Sequence, residues 1–149
     1  MREIKFRGKR ISNGKWLYGD LMHDTVGGCY VFPIDCAALY KENAVLPETI
    51  GQYTGLRDKN GKEVYEGDIL RGDEYPFNCD CKDNYFAKIV RVDNLCGFYR
   101  ITLKNPKSTV RGFFHGKWEQ LDEDDIKSFE VIGNIYDNKN LLGLSKVEL

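Results

Sequence analysis

The sequence lacks a long apolar run, a secretory leader pattern and a transit-peptide pattern. We therefore expect neither a membrane-spanning helix nor contact with a membrane. It also lacks a regular cysteine pattern, because its 5 cysteines are odd in number and unevenly spaced. That distribution does not fit a disulfide framework, and it favours the reducing cytoplasm as the compartment.

Proline is scarce, with 4 residues against 15 glycines, and no Pro- or Ser-rich linker interrupts the chain. Many tight turns are expected from this balance. Aromatic residues make up 13% of the 149 residues and hydrophobic residues 42%, so the chain should fold around a core of its own. The length predicts one ordinary domain or two small packed lobes.

Histidine is limited to His23 and His115, which leaves few candidates for a catalytic base or a metal site. The only metal candidates from spacing, both weak, are Cys79 and Cys81. Structural zinc prefers paired knuckles with two to four residues between the cysteines, and no second pair stands at a matching distance. Free thiols are the favoured interpretation, so we predict no metal and no cofactor.

Two other patterns are poor catalytic candidates. The glycines of Gly55–Gly61 stand between two predicted strands, whereas a phosphate-binding loop precedes a helix. The carboxylates of Asp122–Asp125 are consecutive, so their side chains point apart and do not converge on a substrate. We therefore assign no catalytic residue.

Alternation of apolar and polar residues predicts a mainly β protein. The predicted strands cover residues 4–7, 15–22, 29–34, 50–54, 64–70, 87–93, 98–103 and 129–136. Only two short helical segments are expected, at residues 36–41 and 122–127.

The same pattern predicts two parts. Residues 1–63 form an N-terminal β-lobe of hairpins. Residues 64–149 form a small SH3-like barrel packed against it, with an excursion loop at 71–86.

The tract from Pro47 to Leu70 is dense in turn residues and reads as two strands around a hairpin. Asp58–Gly61 predicts the turn, and the run Glu66-Gly67-Asp68 predicts a bend in the return strand. Half of the tract recurs at residues 13–22, with one glutamate fewer. Either duplication of a β-unit or independent use of similar turns explains this sequence similarity.

Four segments together resemble the YopX family of phage and prophage proteins. They are PETIGQYTGLRDKNGKEVYEGDIL, MREIKFRGKR, NGKWLYGD and VIGNIYDNKNLL, in matching order across nearly the whole chain. The resemblance implies a small β-rich protein encoded by a phage and working in the cytoplasm of a bacterial host. It implies no established activity and no catalytic motif.

Charge is segregated although the net charge is only −1. Basic residues interleave with aromatic residues on several predicted strands, a pattern typical of nucleic-acid interfaces. The candidate nucleic-acid-binding residues are Lys5, Arg7, Arg91, Arg100, Lys104 and Arg111, with Lys9 and Arg10 extending the first strip. Against this interpretation, the isoelectric point of about 6.1 is well below that of typical nucleic-acid-binding domains, which are basic.

The sequence therefore predicts a non-enzymatic phage or prophage accessory protein that acts as a protein-binding or assembly module. Self-association is expected because hairpins leave edge strands that must be covered or paired. The alternative is a nucleic-acid-binding accessory protein that uses basic and aromatic strand faces.

Overall fold

The computed structural model describes residues 1, 3–34, 40–72, 85–91, 97–104 and 118–142. The chain is mainly β and its strand pairs are antiparallel, which confirms the predicted fold class. Within those ranges, no helix has the length and apolar character needed to cross a membrane.

Ten strands and two short α-helices follow one another along the described residues. The strands are β1 (Phe6–Lys9), β2 (Trp16–His23), β3 (Cys29–Phe32), β4 (Gly51–Arg57), β5 (Glu63–Tyr65), β6 (Asp68–Gly72), β7 (Tyr85–Arg91), β8 (Phe98–Lys104), β9 (Trp118–Gln120) and β10 (Phe129–Asn134). The helices are α1 (Glu123–Ile126) and α2 (Lys139–Leu142). Two 3₁₀ turns, Tyr40–Asn43 and Pro47–Thr49, precede β4.

The chain divides into two compact units, Met1–Gly55 and Leu56–Leu149. One sheet has the strand order β3-β2-β1-β4-β5, in which β4 crosses the division. The core of the first unit lies on one face of this sheet. It is formed by Leu17, Cys29, Val31 and Val45, with Leu21 and Ile50 packed against them.

The second unit contains the sheet β10-β6-β7-β8-β9. Its core combines side chains from the sheet, from α1, from the connection between β9 and α1 and from the β4–β5 hairpin: Val64, Leu70, Ile89, Phe98, Leu121, Ile126 and Phe129. Burial of these apolar side chains is the main source of its stability. The SH3-like barrel and the division after residue 63 stay predictions. Residues 71–72 and 85–86 were predicted to lie in the excursion loop, but they belong to strands β6 and β7.

Each predicted strand overlaps an observed one, and the acidic turn is confirmed as α1. Two elements were missed, β9 and α2. Both are short, so neither offers enough residues for a period to be recognised. The predicted helix at 36–41 falls largely on residues 35–39, outside the described residues, and residues 40–43 form a 3₁₀ turn.

The bend at Gly67 separates β5 from β6. Gly67 has a φ of +86°, which favours glycine over other residues. Its N–H donates to the Ile89 carbonyl at 3.0 Å, and its own carbonyl accepts from the Ile135 N–H at 2.9 Å. The buried carboxylate of Asp68 accepts from the Tyr65 N–H at 2.8 Å and closes the turn.

The similar segment at residues 13–22 does not repeat this bend. The earlier copy runs straight through Gly19 and Asp20 as part of the single strand β2. The second copy carries the additional Glu66, and residues 66–67 form a turn between two separate strands. One inserted residue thus converts a continuous strand into a strand–turn–strand unit.

Candidate functional site

One face of the first unit's sheet combines basic and aromatic residues. In the antiparallel register of β1 and β2, Arg7 is opposite Tyr18 and Lys9 is opposite Trp16. Directly opposed residues share a face of the sheet. The intervening pair, Gly8 with Leu17, therefore belongs to the other face, where Leu17 joins the core.

The neighbouring strands extend this face on both sides. On β3, Tyr30 is opposite Met22, and Phe32 is opposite Asp20. On the β4 side, the Tyr53 N–H donates to the Lys5 carbonyl at 2.8 Å. We call this surface the basic-aromatic face and define it by Lys5, Arg7, Lys9, Trp16, Tyr18, Tyr30, Phe32 and Tyr53.

Cations stack on aromatic rings across this face. The Arg7 guanidinium carbon lies 4.7 Å from the centre of the Trp16 ring, and the Lys9 ammonium lies 5.7 Å from the same ring. The Lys5 ammonium lies 4.9 Å from the centre of the Tyr53 ring and 3.2 Å from a Glu3 carboxylate oxygen. Such cation–π contacts fix the orientation of the rings.

Exposure on this face increases towards β2. Tyr53 is 4% exposed and Arg7 is 5% exposed, so the part of the face near β4 is covered. Tyr18, in the middle of β2, is 45% exposed. Lys9 and Trp16 beside it are half-buried. Of the residues that define the face, Tyr18 on β2 is therefore the most exposed.

The predicted nucleic-acid-binding residues fall into two groups. Lys5 and Arg7 belong to the basic-aromatic face of the first unit. Arg91 ends β7, and Arg100 and Lys104 belong to β8, in the second unit. Arg111 lies outside the described residues. The aromatic partners Trp16 and Tyr53 were not assigned to a site from sequence, because they come from other strands.

Most of the cysteine and histidine candidates for a metal site lie outside the described residues. Cys79, Cys81 and His115 lie outside the described residues. Cys29 is buried in the first core and is opposite His23 in the β2–β3 register. In the part of the chain that the structure describes, no three His, Cys, Asp or Glu residues are grouped to hold a metal ion.

The carboxylates of two aspartates in turns accept hydrogen bonds from backbone N–H groups. Asp24 accepts from the N–H groups of Gly28 at 2.6 Å and Val26 at 3.0 Å, and from the Tyr30 hydroxyl at 2.9 Å. The Gly28 hydrogen bond, followed by the Tyr30 hydroxyl, holds the pKa of Asp24 below its ordinary value. Asp58 accepts from three backbone N–H groups in the second unit.

Comparison with known proteins identifies a family and a fold. A family model described as YopX protein matches residues 5–143. The crystal structure of protein EF1440 from Enterococcus faecalis is similar to this chain, with a TM-score of 0.54 and 24% sequence identity. The match covers 95% of this chain and 99% of that chain, and at this identity it shows a shared fold. No curated protein matches the chain.

Proposed function

The chain belongs to the YopX family, and we propose that it is a non-enzymatic accessory protein of a phage or prophage. In this proposal it acts as a protein-binding or assembly module in the cytoplasm of the bacterial host. Its partners are another protein or a second copy of the chain.

The observation that carries this proposal is the distribution of exposed apolar side chains. Among the described residues, the exposed large apolar side chains all belong to the first unit: Met1, Ile4, Ile11, Tyr18, Val26 and Ile34. Exposed apolar groups are the surface that protein interfaces bury. Their exposure supports a binding role for the first unit.

The use of the buried carboxylates supports a non-enzymatic role. Asp58 and Asp68 are 6% and 1% exposed, and both accept hydrogen bonds from backbone N–H groups. A general acid or base must instead reach a substrate proton. These two groups stabilise the turns of the second unit.

Affinity capture from prophage-induced cells, with and without nuclease, tests the proposal. We expect a partner protein that persists after nuclease treatment and is lost in the Ile4→Ser/Ile11→Ser double variant. Lys127→Gln, an exposed change in the second unit, is the matched control and should retain the partner. Sedimentation of the purified chain tests self-association. Turnover in a broad hydrolase screen, or no partner and no self-association, would contradict the proposal.

Nucleic-acid binding is a second candidate, favoured by the cation–aromatic contacts of the first unit's sheet. Proteins that bind single strands combine basic side chains with aromatic platforms. A gel-shift assay with DNA and RNA at about 50 mM salt is the test, because electrostatic contacts are strongest at low salt. Binding that weakens as salt rises is expected, and no shift at low salt would remove this candidate.

A further inference from the structure

Two turns of this chain carry the same tripeptide, Asn13-Gly14-Lys15 and Asn60-Gly61-Lys62. We propose that Asn13 is a site of spontaneous deamidation in the folded protein, whereas the fold protects Asn60 from the same reaction. The chemical susceptibility of an asparagine depends strongly on the residue that follows it, and here the following residues are identical. A difference in rate between the two sites is therefore produced by the structure.

The reaction needs only water in addition to the chain. The Gly14 backbone nitrogen attacks Cγ of Asn13, the bond between Cγ and Nδ2 breaks, and the proton of the attacking nitrogen leaves with the amide group as ammonia. Water then opens the resulting succinimide ring at one of its two carbonyls and leaves aspartate or isoaspartate. Glycine favours the attack because no Cβ shields its nitrogen.

The two turns match in exposure and in backbone conformation. All four residues of the two Asn-Gly pairs are exposed. Both glycines have a positive φ, +68° and +80°, and among the described residues no heavy atom beyond their chain neighbours lies within 4 Å of an added Cβ. Both glycine N–H groups donate at 2.9 Å to a carbonyl, that of Arg10 or that of Asp58. The attacking nitrogen is restrained in both turns, so each turn must open locally before it reacts.

The turn at Asn13 is closed by hydrogen bonds between its own residues. The Gly14 N–H donates to the Arg10 carbonyl, and the Lys15 N–H donates to Asn13 Oδ1 at 3.0 Å in an exposed position. Both bonds stay within the turn, so they can break while strands β1 and β2 on either side remain paired. Exposed turns of this kind open at low cost.

The turn at Asn60 is attached to another strand of the second unit. The Asn60 N–H donates to the buried carboxylate of Asp58 at 2.9 Å, and the other oxygen of that carboxylate accepts from the Val131 N–H at 2.9 Å. The Lys59 N–H donates to the Phe129 carbonyl at 2.9 Å. Opening this turn therefore disturbs its attachment to β10.

Further hydrogen bonds hold the same turn from within. The Lys62 N–H donates to the Asp58 carboxylate at 2.9 Å, and the Arg57 guanidinium donates to the Gly61 carbonyl at 3.0 Å. Each hydrogen bond that must break lowers an opening equilibrium by roughly 2- to 12-fold. We therefore expect Asn13 to react about tenfold or more faster than Asn60, since at least two additional bonds hold the second turn.

Deamidation at Asn13 changes both the charge and the backbone of the β1–β2 turn. One neutral amide becomes a carboxylate, so the formal net charge of −1 gains one negative charge and becomes −2. Isoaspartate also adds one carbon to the main chain, at the turn that sets the register of the two strands. The modified chain can therefore be separated from the original by ion exchange.

Incubation of the full chain in mildly alkaline buffer, followed by mass spectrometry of its proteolytic peptides, tests this inference. The conversion of each amide to a carboxylate gives the rate at each asparagine. In the folded chain we expect the ratio of the rate at Asn13 to that at Asn60 to be about ten or more. In concentrated urea the two rates should be equal, because the unfolded tripeptides are identical. Equal rates in the folded chain, a faster reaction at Asn60, or the same ratio in urea would overturn the inference.

Asp58→Asn and Asp122→Asn form a matched pair, because both make the same chemical change in a turn of the second unit. Asp58→Asn weakens the attachment of the protected turn and should accelerate the reaction at Asn60 without changing the rate at Asn13. Asp122→Asn should change neither rate. Circular dichroism verifies that both variants fold. An unchanged rate at Asn60 in Asp58→Asn would contradict the attachment as the cause of protection.

Discussion

The carboxylate of Asp58 accepts a hydrogen bond at 2.9 Å from the backbone N–H of Val131, a residue 73 positions later in the chain. Its other oxygen accepts from the N–H groups of Asn60 and Lys62, both at 2.9 Å. The Lys59 N–H donates to the Phe129 carbonyl at 2.9 Å. The hairpin turn is therefore attached along β10, within the second unit.

Asp58→Ala should destabilise the protein by about 3 kcal/mol, because it removes one charged acceptor and leaves three N–H groups without it. Asp58→Asn keeps one acceptor oxygen and should cost about 1 kcal/mol. Urea unfolding monitored by circular dichroism measures both. Asp122→Ala is the control: Asp122 is exposed and accepts from the N–H of Asp124 two residues on, so a smaller loss is expected. Equal losses at the two positions would contradict this role for Asp58.

Gly19→Ala should destabilise the first unit, because the chain approaches this glycine closely. A Cβ at Gly19 would clash with the backbone carbonyl of Phe32 on β3, which is unable to move without breaking the sheet register. We expect a loss of more than about 2 kcal/mol, in the range of overpacking in a well-packed core. At Gly14 no atom lies within 4 Å of the added Cβ, so Gly14→Ala should cost only about 1–2 kcal/mol through its positive φ of +68°. Gly19 also has a positive φ, of +157°, so the difference in thermal unfolding between the two variants measures the steric cost that is added at Gly19.

Stability should decrease at acid pH through Asp24. Its pKa is lowered in the folded state by the Gly28 N–H and then by the Tyr30 hydroxyl, so the unfolded chain takes up the proton first as pH falls. The contribution is complete above the ordinary pKa of 3.8 and is lost as pH falls through the lowered value. Unfolding temperatures of the wild type and Asp24→Asn, measured from neutral to acid pH, should converge at the acid end. A difference in unfolding temperature that stays the same at every pH would contradict this role of Asp24.

Phe129→Ala should cost about 3–5 kcal/mol, as expected for a large side chain removed from a core. Phe129 is 0% exposed and belongs to the second core, and a Cβ at Gly72 on the neighbouring strand would clash with its ring. Phe129→Leu keeps most of the volume and should cost less than about 1.5 kcal/mol. Denaturant titration of both variants measures the two losses in free energy of unfolding. A similar cost for the two would show that the ring fills no specific space.

Local patterns predicted the strands well, because alternation is a property of neighbouring residues. Strand β2 could be predicted from the alternation of Trp16 and Tyr18 with Leu17 and Leu21, and its inward residues do join the core. The bend at Gly67 was also predicted from neighbouring residues alone. The similarity between residues 13–22 and residues 60–70 did not predict that the two segments differ in structure. The effect of one inserted glutamate is not visible in the alignment.

The candidate site was only partly predictable, because its members depend on pairing between strands. Lys5 and Arg7 were assigned from their own strand. That Trp16 and Tyr53 stack with them follows from the β1–β2 and β1–β4 pairings, which no local pattern specifies. The same limit explains why Arg91 and Arg100 were grouped with Lys5, although they belong to the other unit.

The central claim is that the chain binds a protein partner through exposed apolar side chains of its first unit. Affinity capture from prophage-induced cells after nuclease treatment, run in parallel with the wild type, Ile4→Ser/Ile11→Ser and Lys127→Gln, tests it most directly. The account predicts the same partner protein with the wild type and with Lys127→Gln, and its loss from the double variant. Equal capture by all three chains, or capture that nuclease treatment abolishes, would contradict it.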